Sequence, residues 1–368
     1  MRGDDGTEIL ATYKALYGKD VRWPHAIQRG IMDALSAESP YAVAKYQSKG
    51  ASVTLRDTLR MAHPKAVRSD TNDAMGECVA GSLPMPKSWE TELSARGNTK
   101  EVWDELIAED KVPFMAALRN LRNMIGVGAN IDPILDKLSD REAVAKSRQL
   151  PFRFYSAYRE LRKAGLDSSK VSRAIDMALS HACRNADKLP GRTAVLIDTS
   201  GSMEWLMSER SIVTCRDTAA VLGAMIVRIS DDAKVIGFDT RGYQIPMSGL
   251  SVLSDIGNVP DDGGWTDMAA GFGMLAKTGF DADRVIILSD NEVNRGTSTM
   301  QGQMDAYRRR VGHDVWCHAI DLQGYGTTQF IGPKTNYIGG WSESVLRFVS
   351  LAERGFGTLV DEIDAMEL

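Results

Sequence analysis

The chain has 368 residues, of which 43% are apolar and 25% charged, and this ordinary globular composition excludes disordered and collagen-like classes of protein. The net charge of −5 divides unevenly: residues 1–190 contain 29 Lys and Arg against 25 Asp and Glu, and the rest of the chain is acidic. A polyanionic partner would therefore prefer the first half. No apolar run approaches the roughly 20 residues that span a bilayer, and Met1–Leu10 has no apolar signal core. We expect a cytoplasmic protein with no membrane partner.

The four cysteines lie far apart in the sequence and form no CxxC pair. This spacing suggests neither a zinc knuckle nor a disulfide framework. Reduced thiols in the core are the favoured interpretation.

Apolar residues recur at helical spacing through most of the first half of the chain. The predicted helices are Pro24–Leu35, Tyr41–Lys49, Thr54–Ala62, Trp89–Glu92, Glu101–Ala108, Pro113–Ile125, Ile131–Leu138, Arg141–Leu150, Pro151–Ala164 and Ser168–Asp187. The helical pattern is weakest between Ala66 and Lys87, where residues are small, polar or interrupted by proline. Short amphipathic helices joined by brief loops pack as antiparallel pairs, which predicts an all-α, HEAT-like α-solenoid over residues 1–188.

The pattern changes at Lys188-Leu189-Pro190-Gly191, after which short apolar runs alternate with helical ones. The predicted strands are Ala194–Ile197, Lys234–Phe238, Arg284–Leu288 and Val315–Ile320, and the predicted helices are Ser211–Ser230, Asp267–Lys277, Met300–Val311 and Glu343–Ala352. Such alternation predicts a Rossmann-like α/β domain over residues 189–368, with a mostly parallel sheet between helices. Right-handed crossovers place the carboxyl ends of its strands on one edge.

Hydroxyl and carboxylate side chains collect at that predicted edge. Asp198, Ser200 and Ser202 follow the first strand at alternating positions, Thr266 precedes a helix, and Asp290 closes a later strand. Hard oxygen donors of this kind suit Mg²⁺, with Ca²⁺ or Mn²⁺ as alternatives, better than zinc. An N-cap serine and an aspartate turn would explain one of these segments, but not three at corresponding strand ends.

This three-part pattern resembles the metal-ion-dependent adhesion site of von Willebrand factor A domains. The resemblance implies that Ser200, Ser202 and Thr266 are ligands and that Asp198 and Asp290 bind the ion directly or through water. It also implies an open coordination position that accepts an acidic group from a partner. Trp265 stands between the glycine pair and Thr266, which leaves open whether Thr266 or Asp267 faces the ion.

Much of the chain, from about Trp23 to Val349, also resembles TROVE-domain proteins, the Ro autoantigen and its bacterial relatives. The stretches that carry the resemblance are KYQSKGASVTLRDTLRMAHPK (45–65), WETELSARGNTKEVWDELIAEDKVPFMAALRNLRNM (89–124), PFRFYSAYRELRKAG (151–165), IDLQGYGTTQ (320–329) and IGGWSESVLRFV (338–349). It implies a non-catalytic RNA-binding protein, built as a HEAT-repeat ring closed by a von Willebrand A domain. Such proteins bind small noncoding Y RNAs on the outer surface and ends of misfolded RNA in the central hole, and bacterial members can work beside exoribonucleases.

The resemblance assigns Y RNA contacts to a helix with the pattern K-Y-x-x-[KR] and to a histidine before the following basic segment. The matching residues here are Lys45, Lys49 and His63. Helical spacing adds Arg56 and Arg60 at i,i+4, and Lys65 continues this basic strip of side chains that could donate hydrogen bonds to phosphate groups. For any one pair, a solvated helix face is the alternative, and for His63 it is an ordinary helix-end histidine.

Arg119 and Arg122, at i,i+3, form a second candidate RNA-binding patch, which we place toward the central hole. Family members usually carry a longer N-terminal portion with additional repeats, so we expect RNA binding on the outer surface, or an open-groove variant of it, more than threading of RNA ends through a hole. The expected partners are a small Y-like RNA and an acidic protein ligand such as an exoribonuclease. Neither DNA nor a second copy of the chain is expected as a partner.

Two other classes of function compete with RNA binding. In the first, the protein is a metal-dependent adaptor that binds protein, and its helical half is only a scaffold. In the second it is a hydrolase, but the sequence contains no HExxH, G-x-S-x-G or GxxxxGK[ST] motif, and a hydroxyl-rich mononuclear site has no obvious general base. The sequence therefore favours a protein without catalytic activity.

Overall fold

The structure is a computed structural model that describes residues 24–47, 53–209, 211–261, 263–290, 297–324, 332–340, 342 and 344–355. By inter-residue contacts the chain forms two compact units, Met1–Lys111 and Val112–Leu368. The domain boundary predicted at residue 188 lies at the start of the first strand, Leu189, and it stays a prediction. The helices between Val112 and Leu189 belong to the same compact unit as the sheet.

The first unit is helical. Its helices are α1 (His25–Ser36), α2 (Pro40–Lys45), α3 (Leu55–Ala62), α4 (Ser69–Ala80), α5 (Trp89–Arg96) and α6 (Lys100–Ala108). Side-chain oxygens of Ser39, Thr54, Ser88 and Thr99 accept backbone N–H groups at four of the helix starts. Helix α4 occupies the stretch with the weakest helical pattern, and it buries Met75 and Cys78 in the same apolar cluster as Leu55 and Leu59 of α3.

The second unit begins with five more helices: α7 (Phe114–Gly126), α8 (Asp132–Ser139), α9 (Arg141–Ser147), α10 (Pro151–Lys163) and α11 (Ser169–Cys183). Helices α10 and α11 pack against the α/β part of the unit. The Tyr155 hydroxyl and the Arg159 guanidinium both donate to Oδ1 of Asp217, at 2.7 and 2.9 Å. Asp176 accepts the backbone N–H of Leu253 at 2.9 Å. These contacts fix the helices to the sheet domain.

The α/β part contains one six-stranded sheet. Its elements are β1 (Leu189–Asp198), a 3₁₀ turn (Gly201–Glu204), α12 (Cys215–Ile229), β2 (Ser230–Phe238), β3 (Gly242–Gln244), α13 (Val252–Gly257), α14 (Met268–Lys277), β4 (Arg284–Ser289), α15 (Thr297–Val311), β5 (Trp316–Asp321), β6 (Thr335–Gly339) and α16 (Ser344–Arg354). The strand order is β3-β2-β1-β4-β5-β6, and only β3 is antiparallel to its neighbour. A helical region followed by this α/β domain confirms the predicted fold class.

The strand order positions the candidate metal site. The chain moves from β1 to β2 on one side and later returns to place β4 on the other side of β1. Such a switch point opens a crevice at the carboxyl ends of the two central strands, where open α/β sheets bind ligands. Strand β1 is buried from Thr193 to Asp198, so the polar residues that end it emerge from the core.

All four cysteines are buried as free thiols. Among the described residues, no helix has both the length and the apolar character needed to cross a membrane.

Candidate metal centre and basic surfaces

The loop after β1 brings the predicted ligands Asp198, Ser200 and Ser202 together. Asp198 is fully buried, and its Oδ1 accepts the backbone N–H of Ser200 at 2.9 Å. The hydroxyl oxygens of Ser200 and Ser202 lie 3.3 Å apart. The tight turn and the following 3₁₀ turn therefore point one carboxylate and two hydroxyls into a small volume at the sheet edge.

A glycine-rich loop carries Thr266 to the same edge. The Gly201 N–H donates to the Gly264 carbonyl at 3.1 Å. Gly263 has a φ of +21°, and a Cβ at this position would lie 3.0 Å from the Gly201 Cα, so the close approach requires glycine. Thr266 is fully buried, and its Oγ1 has no hydrogen-bond partner among the described residues. A buried hydroxyl without a hydrogen-bond partner is expected to bind a ligand, because burial of an unpaired polar group costs free energy.

Asp267 has a different role from Thr266. Its carboxylate caps helix α14 by accepting the backbone N–H of Ala269 at 3.1 Å, and its own N–H donates to the Asp239 carbonyl at 2.8 Å. Of the two residues that the sequence left open, Thr266 has the hydroxyl that needs a partner, whereas the Asp267 side chain is used to start a helix. This arrangement favours Thr266 as the residue that faces the ion.

Strand β4 supplies the last predicted ligand, Asp290, which is fully buried directly after the strand ends. Burial raises the pKa of the Asp198 carboxyl to about 7, and the Asp290 charge adds to this rise, while hydrogen bonds from Ser200 and Ser289 oppose it. Two carboxylates are thus removed from water at one edge, where positive charge would favour their ionised forms. A divalent cation would supply it.

The donor set fits a hard cation. Two carboxylates and three hydroxyls offer oxygen ligands only. Among them, the buried Thr266 Oγ1 has no hydrogen-bond partner in the described structure and is therefore available to coordinate an ion. Within the described residues, no three His, Cys, Asp or Glu side chains come together as a metal cluster. The proposed centre thus depends on its hydroxyls, which leave more of the ion's charge available to an incoming anion.

Ser289 belongs to this site although it was not among the predicted ligands. Its hydroxyl donates to Oδ2 of Asp198 at 2.6 Å and fixes the orientation of that carboxylate. A signal was present, because Ser289 immediately precedes Asp290. Its role follows only from the register of the parallel strands, in which Ile197 pairs with Leu288.

Two of the predicted RNA-binding arginines donate hydrogen bonds to backbone carbonyls of the first unit. Arg56 Nε donates to the Cys78 carbonyl at 3.1 Å, and Arg60 Nη2 donates to the Val79 carbonyl at 3.2 Å. Both carbonyls belong to the last turn of helix α4, where cations are favourable. The i,i+4 spacing does bring the arginines to one face, where both guanidinium groups bind a helix terminus while both residues stay exposed, so their RNA-binding role stays a prediction.

The other predicted residues of the strip have different environments. Lys45 is 3.6 Å from a Glu90 carboxylate oxygen, and its side chain remains about one-third exposed. His63 ends helix α3 in a left-handed conformation with φ of 48°, and both His63 and Lys65 are exposed. Lys49 lies outside the described residues. Lys45, His63 and Lys65 thus retain surface that an RNA could contact.

Arg119 and Arg122 line a groove between helices α7 and α10. The groove has a volume of about 440 Å³ and also exposes Arg153. Arg122 pairs with Glu160 at 3.0 Å across it, and Glu160 is the only acidic residue among the described residues that line it. Three guanidinium groups against one carboxylate make this the kind of concave basic surface that holds phosphate groups.

Comparison with known families gives two overlapping matches. The TROVE domain matches residues 79–214, and the Ro60 vWA domain matches residues 192–318. Together they span well over half of the chain, in the order helical domain followed by α/β domain.

Individual relatives match over different lengths. Telomerase protein component 1 is 46% identical over 82 residues in Rattus norvegicus and 45% identical over 84 residues in Mus musculus, in each case 22% of this chain. The chain spans only 3% of the length of these curated relatives. Among solved structures, the Ro (RSR) protein of Deinococcus radiodurans matches with a TM-score of 0.63 and 20% identity, covering 94% of this chain and 80% of that one. This likeness shows a shared fold.

Proposed function

Since this chain belongs to the family of TROVE-domain proteins with a Ro60-type von Willebrand factor A domain, we propose that it is a non-catalytic RNA-binding protein. The observation that carries the proposal is the succession of these two domains in one chain. Its RNA is a small, structured, Y-like noncoding RNA, and misfolded RNA is a second class of ligand. The protein acts in the cytoplasm, as a monomer, in a ribonucleoprotein linked to RNA quality control.

Two basic surfaces support this proposal. The partly exposed Lys45 and the exposed His63 and Lys65 lie on the first unit, and Arg119, Arg122 and Arg153 line the groove between α7 and α10. Cations on a structured surface bind the phosphate backbone and position the RNA without reading its sequence. This division suits a ligand recognised by its shape more than by its sequence.

The metal centre has a separate role in this proposal. Asp198, Ser200, Ser202, Thr266 and Asp290 would hold Mg²⁺, which supplies a Lewis-acidic position for an anionic ligand when bound. The chain's own residues orient the site: Ser289 fixes the Asp198 carboxylate, and the Gly201–Gly264 hydrogen bond holds the threonine loop in place. A cation held there would add positive charge to the loop edge, and an acidic protein ligand such as an exoribonuclease would bind beside it.

A metal-dependent protein adaptor is the second candidate function. It is favoured by the acidic balance of residues 191–368 and by the buried oxygen donors at the sheet edge. In that case the helices would only support the site. The two functions differ in whether nucleic acid accompanies the protein.

The test is to isolate the full chain from its native cell at mild salt and to sequence the RNA that accompanies it. One or a few discrete small RNAs are expected, with affinity that falls steeply as salt rises. A Lys45→Ala/Lys49→Ala variant should lose most of this RNA, whereas Lys146→Ala/Lys277→Ala, which removes two exposed lysines elsewhere, should retain it. Absence of enriched RNA, with a specific protein recovered only with Mg²⁺, would establish the adaptor instead.

A further inference from the structure

A groove separate from both basic surfaces runs between helix α10 and the loop that precedes α12. Its volume is about 460 Å³, and it is lined by Arg159, Arg162, Lys163, Leu206, Ser211 and Ile212. Trp205, next to Leu206, is 66% exposed and Leu206 is 48% exposed. We call this feature, with its flanking tryptophan, the Trp205 groove.

The loop that forms the apolar wall is held by backbone hydrogen bonds. Leu206 forms an antiparallel bridge with Thr214. The Cys215 N–H donates to the Trp205 carbonyl at 2.9 Å, and the Met207 N–H donates to the Val213 carbonyl at 3.0 Å. Trp205 and Leu206 are therefore exposed although their backbone is held by hydrogen bonds to the residues at the start of α12.

The opposite wall is cationic. Arg159, Arg162 and Lys163 follow one another at i, i+3 and i+4 on helix α10, so they share a face. Arg159 is fixed by the buried Asp217 at 2.9 Å. Arg162 and Lys163 are exposed, and no acidic residue lines the groove within the described part of the chain. The groove thus presents two exposed cations, beside Arg159 in its ion pair with Asp217, across from aliphatic side chains.

A second exposed indole lies on the same edge of the sheet domain. Trp265 is 62% exposed, and its neighbour Gly264 is hydrogen-bonded to Gly201, which begins the turn that leads to Trp205. Tryptophan is mostly buried in single proteins and is enriched at the centres of protein interfaces. Exposed tryptophans on rigid loops are therefore candidates for anchors in a protein interface.

We infer that the Trp205 groove is a docking site for an acidic protein segment that carries large apolar side chains. Its carboxylates would pair with Arg162 and Lys163, and its apolar side chains would cover Trp205, Leu206 and Ile212. This docking goes beyond RNA binding and does not depend on it.

Charge and composition favour protein over RNA as the occupant. The exposed Glu209 lies on the same loop as Trp205 and would repel a continuous phosphate backbone, whereas Glu204 on that loop is ion-paired with Arg216. Leu206 and Ile212, which line the groove, are aliphatic and offer no surface for stacking of bases, and the exposed Trp205 flanks the groove without lining it. A short peptide can place its carboxylates on the cationic wall alone.

The test uses phage-displayed random ten-residue peptides selected on the full chain. We expect enrichment of peptides that combine Asp or Glu with Leu, Ile, Phe or Trp. Arg162→Glu/Lys163→Glu should lower the affinity for a selected peptide by at least about tenfold and should shift a fresh selection toward Lys and Arg. Trp205→Ser/Leu206→Ser should remove binding to a similar extent.

Matched substitutions on the same unit serve as controls. Arg173→Glu reverses another exposed arginine, and Leu250→Ser removes another exposed leucine, so both should leave peptide affinity within about twofold. Circular dichroism and thermal unfolding verify that each variant is folded. Selection without an acidic–apolar motif, or binding that survives the charge reversal, would overturn the inference.

RNA binding is measured on the same variants. Retained RNA affinity in Trp205→Ser/Leu206→Ser, together with lost peptide affinity, is the expected result. Loss of RNA affinity with no peptide selected would instead assign the groove to RNA. A chain that binds the peptide but no RNA would remove the proposed function and leave the docking site intact.

Discussion

The two ends of the sheet differ in how their buried polar groups are paired. At the amino end, Arg284 donates to both carboxylate oxygens of Glu353 at 2.7 Å and to Thr193 Oγ1 at 3.0 Å. The fully buried His318 lies 3.0 Å from the same carboxylate through Nε2 and 3.1 Å from Asn336 through Nδ1. The charges at this end are compensated by the chain itself.

At the carboxyl end, carboxylate and hydroxyl oxygens are gathered in the interior instead. Burial raises the pKa of Asp198 to about 7, and Thr266 Oγ1 is without a hydrogen-bond partner in the described structure. A group that the fold does not satisfy costs stability, and such groups mark places where a ligand completes the structure. The amino end therefore supports stability, and the carboxyl end supports binding.

The largest expected effect is at the amino end. Glu353→Ala leaves the guanidinium of Arg284, which is only 5% exposed, without its counterion, and should lower the free energy of unfolding by about 3–5 kcal/mol. Urea denaturation followed by circular dichroism measures this loss. The exposed pair Lys146–Glu142 provides the control, because Glu142→Ala should cost at most about 0.5 kcal/mol. Equal losses of unfolding free energy in Glu353→Ala and Glu142→Ala would show that burial does not determine how much an ion pair contributes to stability.

The same carboxylate gives a pH dependence. Burial opposes ionisation of Glu353, but hydrogen bonds and charges from His318 and Arg284 prevail and lower its pKa. A folded-state pKa below the unfolded value contributes stability that is present above the ordinary carboxyl pKa and is lost as pH falls. The stability difference between the wild type and Glu353→Ala should therefore be largest near neutral pH and shrink below about pH 4.3. A difference that grows on acidification would contradict this assignment.

The next effect is at the carboxyl end, where Mg²⁺ should stabilise the protein. At a concentration one hundred times the dissociation constant, the gain is about 2.7 kcal/mol, measurable as a rise in Tm. Asp198→Asn and Thr266→Val should each abolish the rise, because each removes a proposed ligand. Asp267→Asn should retain it, since asparagine also caps a helix. An unchanged rise in Asp198→Asn would place the bound ion elsewhere.

These two ends were not equally predictable from sequence. The carboxyl end was visible because a parallel sheet gathers its strand ends, and residues such as Asp198 and Asp290 directly follow apolar runs. Ser289 was missed because its contact with Asp198 depends on strand register. The network of Arg284 with Glu353 joins residues 69 positions apart, which no local pattern reveals.

Helix α4 and strands β3 and β6 show a second limit of sequence reasoning. The buried stripe of α4 is Thr71, Ala74, Met75 and Cys78, and its small or polar members give a weak apolar signal. Strands β3 and β6 lie at the two edges of the sheet and are only partly buried, so they lack the continuous apolar run of β1. The sequence pattern did not reveal these elements because their formation depends on packing against neighbouring elements more than on a local apolar pattern.

The smallest expected effect applies the same distinction between satisfied and open polar groups to the first unit. Arg56 is hydrogen-bonded to the Cys78 carbonyl at the end of α4, so Arg56→Ala should lower the free energy of unfolding by about 1 kcal/mol and change RNA affinity less than twofold. Lys65 is exposed, so Lys65→Ala should leave stability within about 0.5 kcal/mol but weaken RNA binding and reduce its salt slope by about one. Denaturation and RNA titration at several salt concentrations measure both quantities. If Arg56→Ala weakened RNA binding more than Lys65→Ala did, a helix-capping role would not suffice for Arg56, and its guanidinium would have to contact RNA as well.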